Sequence, residues 1–155
     1  VITAWRIVKA RHAANAFDGE GARRYGGRWN SIGTPMVYTS DYLATAVLEL
    51  IVNMIDYSAV FKKYNRIAVE IPSRLITELD LEKLPVNWQG NPPPATTRMM
   101  GDNWIRDQVS AVLKAPSAIL PQHYSYLINP HHPDFSKIKI DKPRPFKFDP
   151  RLRKP

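Results

Sequence analysis

Short β-prone runs, each cut off within a few residues by proline or a polar turn, recur along the chain, and this constrains the fold more than any other feature. Residues 3–10, TAWRIVKA, alternate Trp5 and Ile7 with Arg6 and Val8 and read as a first strand. PMVYTS, bounded by Pro35 and Ser40, is a second that carries Tyr38, and NRIAVEIP places Ile67, Val69 and Ile71 in period two before Pro72. SAILP, YSYLI and KIKI read as further strands. Two segments have helical character. In DYLATAVLELIVNMID, residues 41–56, Leu43, Val47, Leu50 and Met54 form one stripe, with Ser40 or Asp41 as the N-cap. A second helix is expected over residues 104–114, capped by Asp102 or Asn103 and stopped before Pro116. Strands outnumber helices and no regular βαβ alternation is visible. The expectation is therefore an α+β fold, with a central mixed or antiparallel sheet and flanking helices.

At 155 residues the chain fits one compact domain, residues 1–155. Residues 82–103 hold Pro85, Pro92, Pro93 and Pro94 and read as a long loop, because proline interrupts helices and central strands. No apolar run approaches the roughly 20 residues of a membrane helix, and the first residues lack a secretory apolar core, so a cytoplasmic protein without membrane association is expected. With no cysteine there is no disulfide, thiolate ligand or cysteine nucleophile.

The net charge of +8 raises the question of a polyanion partner, but it is unevenly placed. Residues 137–155 hold eight Lys or Arg against Asp141 and Asp149, and so carry six of those charges. This basic C-terminal segment reads as a solvated terminus. A competing reading makes it a nucleic-acid-binding module that stacks bases on Phe146 and Phe148. No known reader motif accompanies it, so nucleic acid is not the expected partner of the isolated chain.

Several constellations are missing: there is no Walker A pattern, no G-x-G-x-x-G, no G-x-S-x-G and no H-E-x-x-H. His131, His132 and Asp134 flank Pro130 and Pro133, so a role in a turn is preferred and no metal site is expected. What remains is GGRWNSIGTPMVYTSDYLATAVLEL, which sets Arg28, Tyr38 and Glu49 on a glycine loop, a strand and a helix. Arg28 suits bidentate phosphate binding or is a surface arginine in a turn. Tyr38 either packs into the core or stacks on a ring. Glu49 falls with Tyr42, Thr45, Asn53 and Asp56 on a narrow polar sliver of an otherwise apolar helix, which faces either solvent or a cleft.

GGRWN, then VYTS, then a helix containing LE, followed by APSAILP, YLINPHHPDF and FKFDPRL, resembles the RES-domain toxins of bacterial toxin-antitoxin pairs over nearly the whole chain. The resemblance implies an ADP-ribosyltransferase-like fold. It also implies NAD as a substrate, with no cofactor besides, and a cognate Xre-like antitoxin. The arginine, glutamate and serine that name the family fall on Arg28, Glu49 and Ser117, and its active-site tyrosine on Tyr38.

The activity implied is cleavage of the nicotinamide-ribose bond by hydrolysis or phosphorolysis, with ADP-ribosyl transfer to a protein as the alternative. Cleavage develops oxocarbenium character on the ribose, which a carboxylate at Glu49 would stabilise. Arg28 would grip phosphate with Arg6 as a second cation, Tyr38 would bracket the nicotinamide or its ribose, and Ser117 would orient a ribose hydroxyl or Glu49. The basic segment is a candidate for the antitoxin surface or for a homodimer contact.

Overall fold

The computed structural model describes residues 1–56, 58 and 62–152. Eight strands form one mixed sheet: β1 (Ile2–Lys9), β2 (Val37–Ser40), β3 (Tyr64–Ile71), β4 (Ile76–Glu78), β5 (Val112–Pro116), β6 (Tyr124–Ile128), β7 (Lys139–Ile140) and β8 (Arg144–Phe146). The order is β4-β5-β6-β2-β1-β3-β7, with β8 also on β3, and every pairing is antiparallel except β4 with β5. The alternation read in the first and third runs is realised as a long register, from Ile2 opposite Ile71 to Lys9 opposite Tyr64. The α+β class and mixed sheet are as expected.

Helices α1 (Glu20–Tyr25), α2 (Leu43–Val52) and α3 (Ala95–Arg106) accompany the sheet. The expected stripe of α2 does face inward: Leu43, Val47, Leu50 and Met54 pack with Ile7, Tyr64 and Phe148. The helix is shorter than residues 41–56, however, and starts at Leu43 with Tyr42 as an N-cap that makes no side-chain cap bond, because Ser40 ends β2 and the Asp41 carboxylate is committed to His123 and Tyr124. Only Thr45 and Ala46 of α2 are buried.

Three expectations fail for identifiable reasons. Residues 82–103 are not loop throughout, because α3 begins at Ala95, directly after the prolines, with Pro94 as its N-cap. The helix expected over residues 104–114 ends at Arg106, Gln108 adopts a φ of 47°, and the apolar run that follows is β5, paired on both edges. Periodicity cannot separate so short an apolar run from a helix. SAILP is likewise not a strand, since β5 stops at Pro116 and Ser117 opens the turn into β6.

The described part of the basic segment is also not simply solvated. KIKI contributes only Lys139 and Ile140 as strand, but β7 and β8 both pair with β3, Ile138 is buried, and Phe148 is 2% exposed. Phe148 meets Tyr64 and Phe146 edge-on at 5.0 Å each. That packing removes it from any base-stacking role.

Candidate active site

The GGRWN string folds into a knot of buried hydrogen bonds. Gly26, at φ 71°, closes α1 by donating to the Ala22 carbonyl at 2.8 Å, a left-handed geometry that glycine supplies. Asn30 is fully buried, and its amide donates to the carbonyls of Ala22, Ser31 and Thr34 at 2.8, 3.2 and 3.0 Å. Its Oδ1 accepts the Tyr38 hydroxyl at 2.6 Å, and the same hydroxyl accepts from the Trp29 amide at 3.1 Å. A Cβ on Gly27 would stand 2.6 Å from that hydroxyl, so this position has no room for a side chain. Burial pushes the Tyr38 phenol well above its ordinary range, and it stays protonated.

Arg28 leaves this knot toward the proline-rich segment, where its Nη1 donates to the carbonyls of Trp88 and Gly90, both at 2.8 Å. Burial lowers its pKa, and the charge of Glu49 opposes that shift. Trp88 packs against Trp29 with ring centroids 6.3 Å apart, which anchors the segment.

Arg6, on β1, is tied by Nε to the Ala16 carbonyl at 2.8 Å and by Nη1 to the Tyr38 carbonyl at 2.9 Å. Its Nη2 makes no hydrogen bond among the described residues. Desolvation pulls its pKa to about 10, with Asp18 opposing, so at neutral pH it remains a cation.

Glu49 lies on the face of α2 turned to the sheet, and its Oε1 accepts the Ser117 hydroxyl at 2.7 Å. Ser117, 1% exposed, also accepts through Oγ from the amides of Ile119 and Leu120 at 3.3 and 3.2 Å. This answers the question of which way the polar sliver points, and it does not point one way. Glu49, Asn53 and Asp56 line a cleft, Thr45 is buried, and Tyr42 lies against His123.

The cleft, about 1040 Å³, runs along β1 and β2 beneath α2, and Arg6, Tyr38 and Glu49 line it. Arg28 and Ser117 do not, so the structure brings the five candidates into one neighbourhood but gives only three a share of the cleft wall. His132 caps the turn over Pro133–Lys137, where its Nδ1 accepts from the Asp134 amide at 3.0 Å. Among the described residues no group of three or more His, Asp or Glu is placed to hold a metal, and no helix is long and apolar enough to cross a membrane.

Sequence reading missed Asn30, Asp41 and His123. Asn30 sits inside the quoted GGRWN string, and a polar residue next to a buried tryptophan is the signal that marks it. Asp41 and His123 are 82 residues apart and carry no local signal.

A family model described as "RES domain" matches residues 3–149. "Toxin Res" of Yersinia enterocolitica is 35% identical over 150 residues, which cover 96% of this chain and 98% of the relative. "Prs ADP-ribosylating toxin" of Sphingobium sp. is 34% identical over 153 residues, covering 96% and 94%. Among solved structures, a chain of the M. tuberculosis MbcT-MbcA toxin-antitoxin complex superposes with a TM-score of 0.77 over 94% of this chain and 84% of its own length. At 16% identity that likeness bears on the fold.

Proposed function

This chain belongs to the RES domain family, and from that premise we propose that it is the enzymatic toxin of a toxin-antitoxin pair and breaks the nicotinamide-ribose bond of NAD. The observation that carries the reading is Glu49, a carboxylate on the cleft wall held in one orientation by Ser117. Cleavage sends the bonding electron pair to the nicotinamide nitrogen, which neutralises the pyridinium and leaves positive charge on the ribose. A fixed carboxylate beside that ribose stabilises the developing charge at no reorganisation cost. The leaving group needs no proton, so one acidic residue suffices.

Arg6 is the better placed cation for the pyrophosphate, since it lines the cleft with Nη2 uncommitted; Arg28 stands outside the cleft wall with Nη1 on the proline-rich segment, and would have to reach a phosphate with Nε and Nη2. Tyr38 offers a ring face to the nicotinamide or its ribose, with its hydroxyl committed to Asn30. Water or phosphate then captures the ribose. The Sphingobium relative's name supports a second reading, in which a protein side chain is the acceptor.

A protein antitoxin of the Xre-like kind is the proposed partner, a reading supported by the toxin-antitoxin complex that shares the fold. A homodimer and a cytoplasmic site of action go with it. Incubating the purified chain with NAD separates the reactions: nicotinamide with ADP-ribose indicates hydrolysis, nicotinamide with ADP-ribose phosphate indicates phosphorolysis, and labelled protein indicates transfer. Intact NAD would refute all three.

A further inference from the structure

We infer that Asp41 and His123 are positioning residues for the cleavage, a second clamp that fixes the Ser117 turn on the helix carrying Glu49. The inference rests on the NAD-cleaving reading. Asp41 lies two residues before α2, and its carboxylate, 11% exposed, gathers three donors. The His123 ring donates from Nδ1 to Oδ2 at 2.9 Å, the Tyr124 amide reaches the same oxygen at 3.1 Å, and the Tyr42 amide reaches Oδ1 at 2.9 Å. The Asp41 amide donates in turn to the Tyr124 carbonyl at 3.0 Å. The edge of the His123 ring also meets Tyr42, with centroids 5.5 Å apart.

His123 and Ser117 close the same turn. The Ser117 amide donates to the His123 carbonyl at 2.9 Å, and the His123 amide donates to the Leu120 carbonyl at 2.8 Å. The turn is thus tied to the α2 segment at two places, Ser117 to Glu49 within the helix and His123 to Asp41 just before it. The β5-β6 pairing, with Pro116 opposite Tyr124, and the Ser117-His123 backbone bond set the base of the turn, and the Ser117-Glu49 bond ties it to α2. The Asp41-His123 bond adds a side-chain tie between the far end of that turn and the segment entering α2, and so narrows the direction from which Ser117 meets Oε1. Reaction geometry is sensitive to displacements of this kind.

The test uses the full chain and measures nicotinamide release from NAD together with amide hydrogen exchange at Ile119 and Leu120, whose N–H groups bond to Ser117 Oγ. His123→Ala should lower kcat about tenfold with KM within about twofold and speed exchange at both amides. His123→Asn, whose side-chain amide can replace the Nδ1 donor, should recover most of the rate and the protection. In a Ser117→Ala background, adding His123→Ala should change the rate less than about twofold, because both act through one contact.

The inference is overturned if His123→Ala keeps its kcat, if His123→Asn is as slow as His123→Ala, or if the two losses multiply. Should the unmutated chain release no nicotinamide, the NAD reading fails and the clamp is judged on exchange alone. Unchanged protection in His123→Ala then overturns it.

Discussion

Ser117 donates its hydroxyl to Glu49 Oε1 at 2.7 Å across 68 residues of sequence, and at 1% exposure it does so from behind the cleft wall. Because Oγ also accepts two amides, its proton has one direction to point, and that direction is the carboxylate. The serine is therefore placed to act on Glu49, and Glu49 on whatever occupies the cleft.

Replacing Glu49 by Gln keeps an acceptor for Ser117 but removes the charge. Nicotinamide release should fall by about 10² or more in kcat, with little change in KM, since the charge matters when the ribose becomes cationic. Ser117→Ala, which frees the carboxylate without neutralising it, should cost about tenfold. Steady-state assays on NAD measure both, and a Glu49→Gln enzyme of unchanged rate would remove Glu49 from the mechanism.

Tyr38→Phe deletes one hydroxyl that serves both Asn30 Oδ1 and the Trp29 amide, groups of two buried residues. The unpaired groups should cost roughly 1–3 kcal/mol of stability at neutral pH, measured by urea unfolding. The alkaline limb carries a sign. Burial raises the folded-state pKa of Tyr38 above 10, so its contribution is complete below pH 10. It is lost as pH rises further, because the unfolded chain ionises first. Tyr64 and Tyr126 are shifted the same way. Tyr38→Phe should thus lose stability less steeply above pH 10 than the unmutated chain.

The parts of this fold legible in the sequence are those that local pattern controls. Ile67, Val69 and Ile71 alternate because β3 has one face in the core, and Leu43, Val47, Leu50 and Met54 repeat because α2 lies along the sheet. The helix expected over residues 104–114 holds only to Arg106, because the apolar run of β5 is paired on both edges and has no period of its own, and the end of α3 is set by the backbone at Gln108. The site divides in the same way. Arg28, Tyr38, Glu49 and Ser117 were reachable through family likeness, whereas the Asp41-His123 bond exists only once β2 and β6 are paired.

Phe148 separates the two readings of the basic segment. Its ring is packed on Tyr64 and Phe146, so Phe148→Ala should destabilise the protein by about 3–5 kcal/mol in urea unfolding, the range for a buried aromatic. A variant of unchanged stability that had lost affinity for single-stranded nucleic acid would reverse this assignment.

One substitution at two helical glycines should give opposite signs. Glycine inside a helix ordinarily costs about 0.5–1 kcal/mol relative to alanine, because it surrenders more backbone freedom on folding. Gly21, in α1, has nothing within 4 Å of an added Cβ, so Gly21→Ala should be neutral or stabilising by up to about 1 kcal/mol. At Gly101, in α3, the added carbon would stand 1.6 Å from the Trp29 carbonyl oxygen and 2.7 Å from its carbon. Both are backbone atoms of the Arg28 loop, and that loop is held on its other side by Asn30 and Tyr38, so it cannot yield without breaking the buried knot. Gly101→Ala should therefore cost about 3 kcal/mol or more, at the upper end of overpacking. Because Trp29 neighbours Arg28, whatever protein folds should also bind NAD more weakly. Urea midpoints for the two variants measure the contrast, and a Gly101→Ala protein as stable as the unmutated chain would mean that α3 does not lie against Trp29.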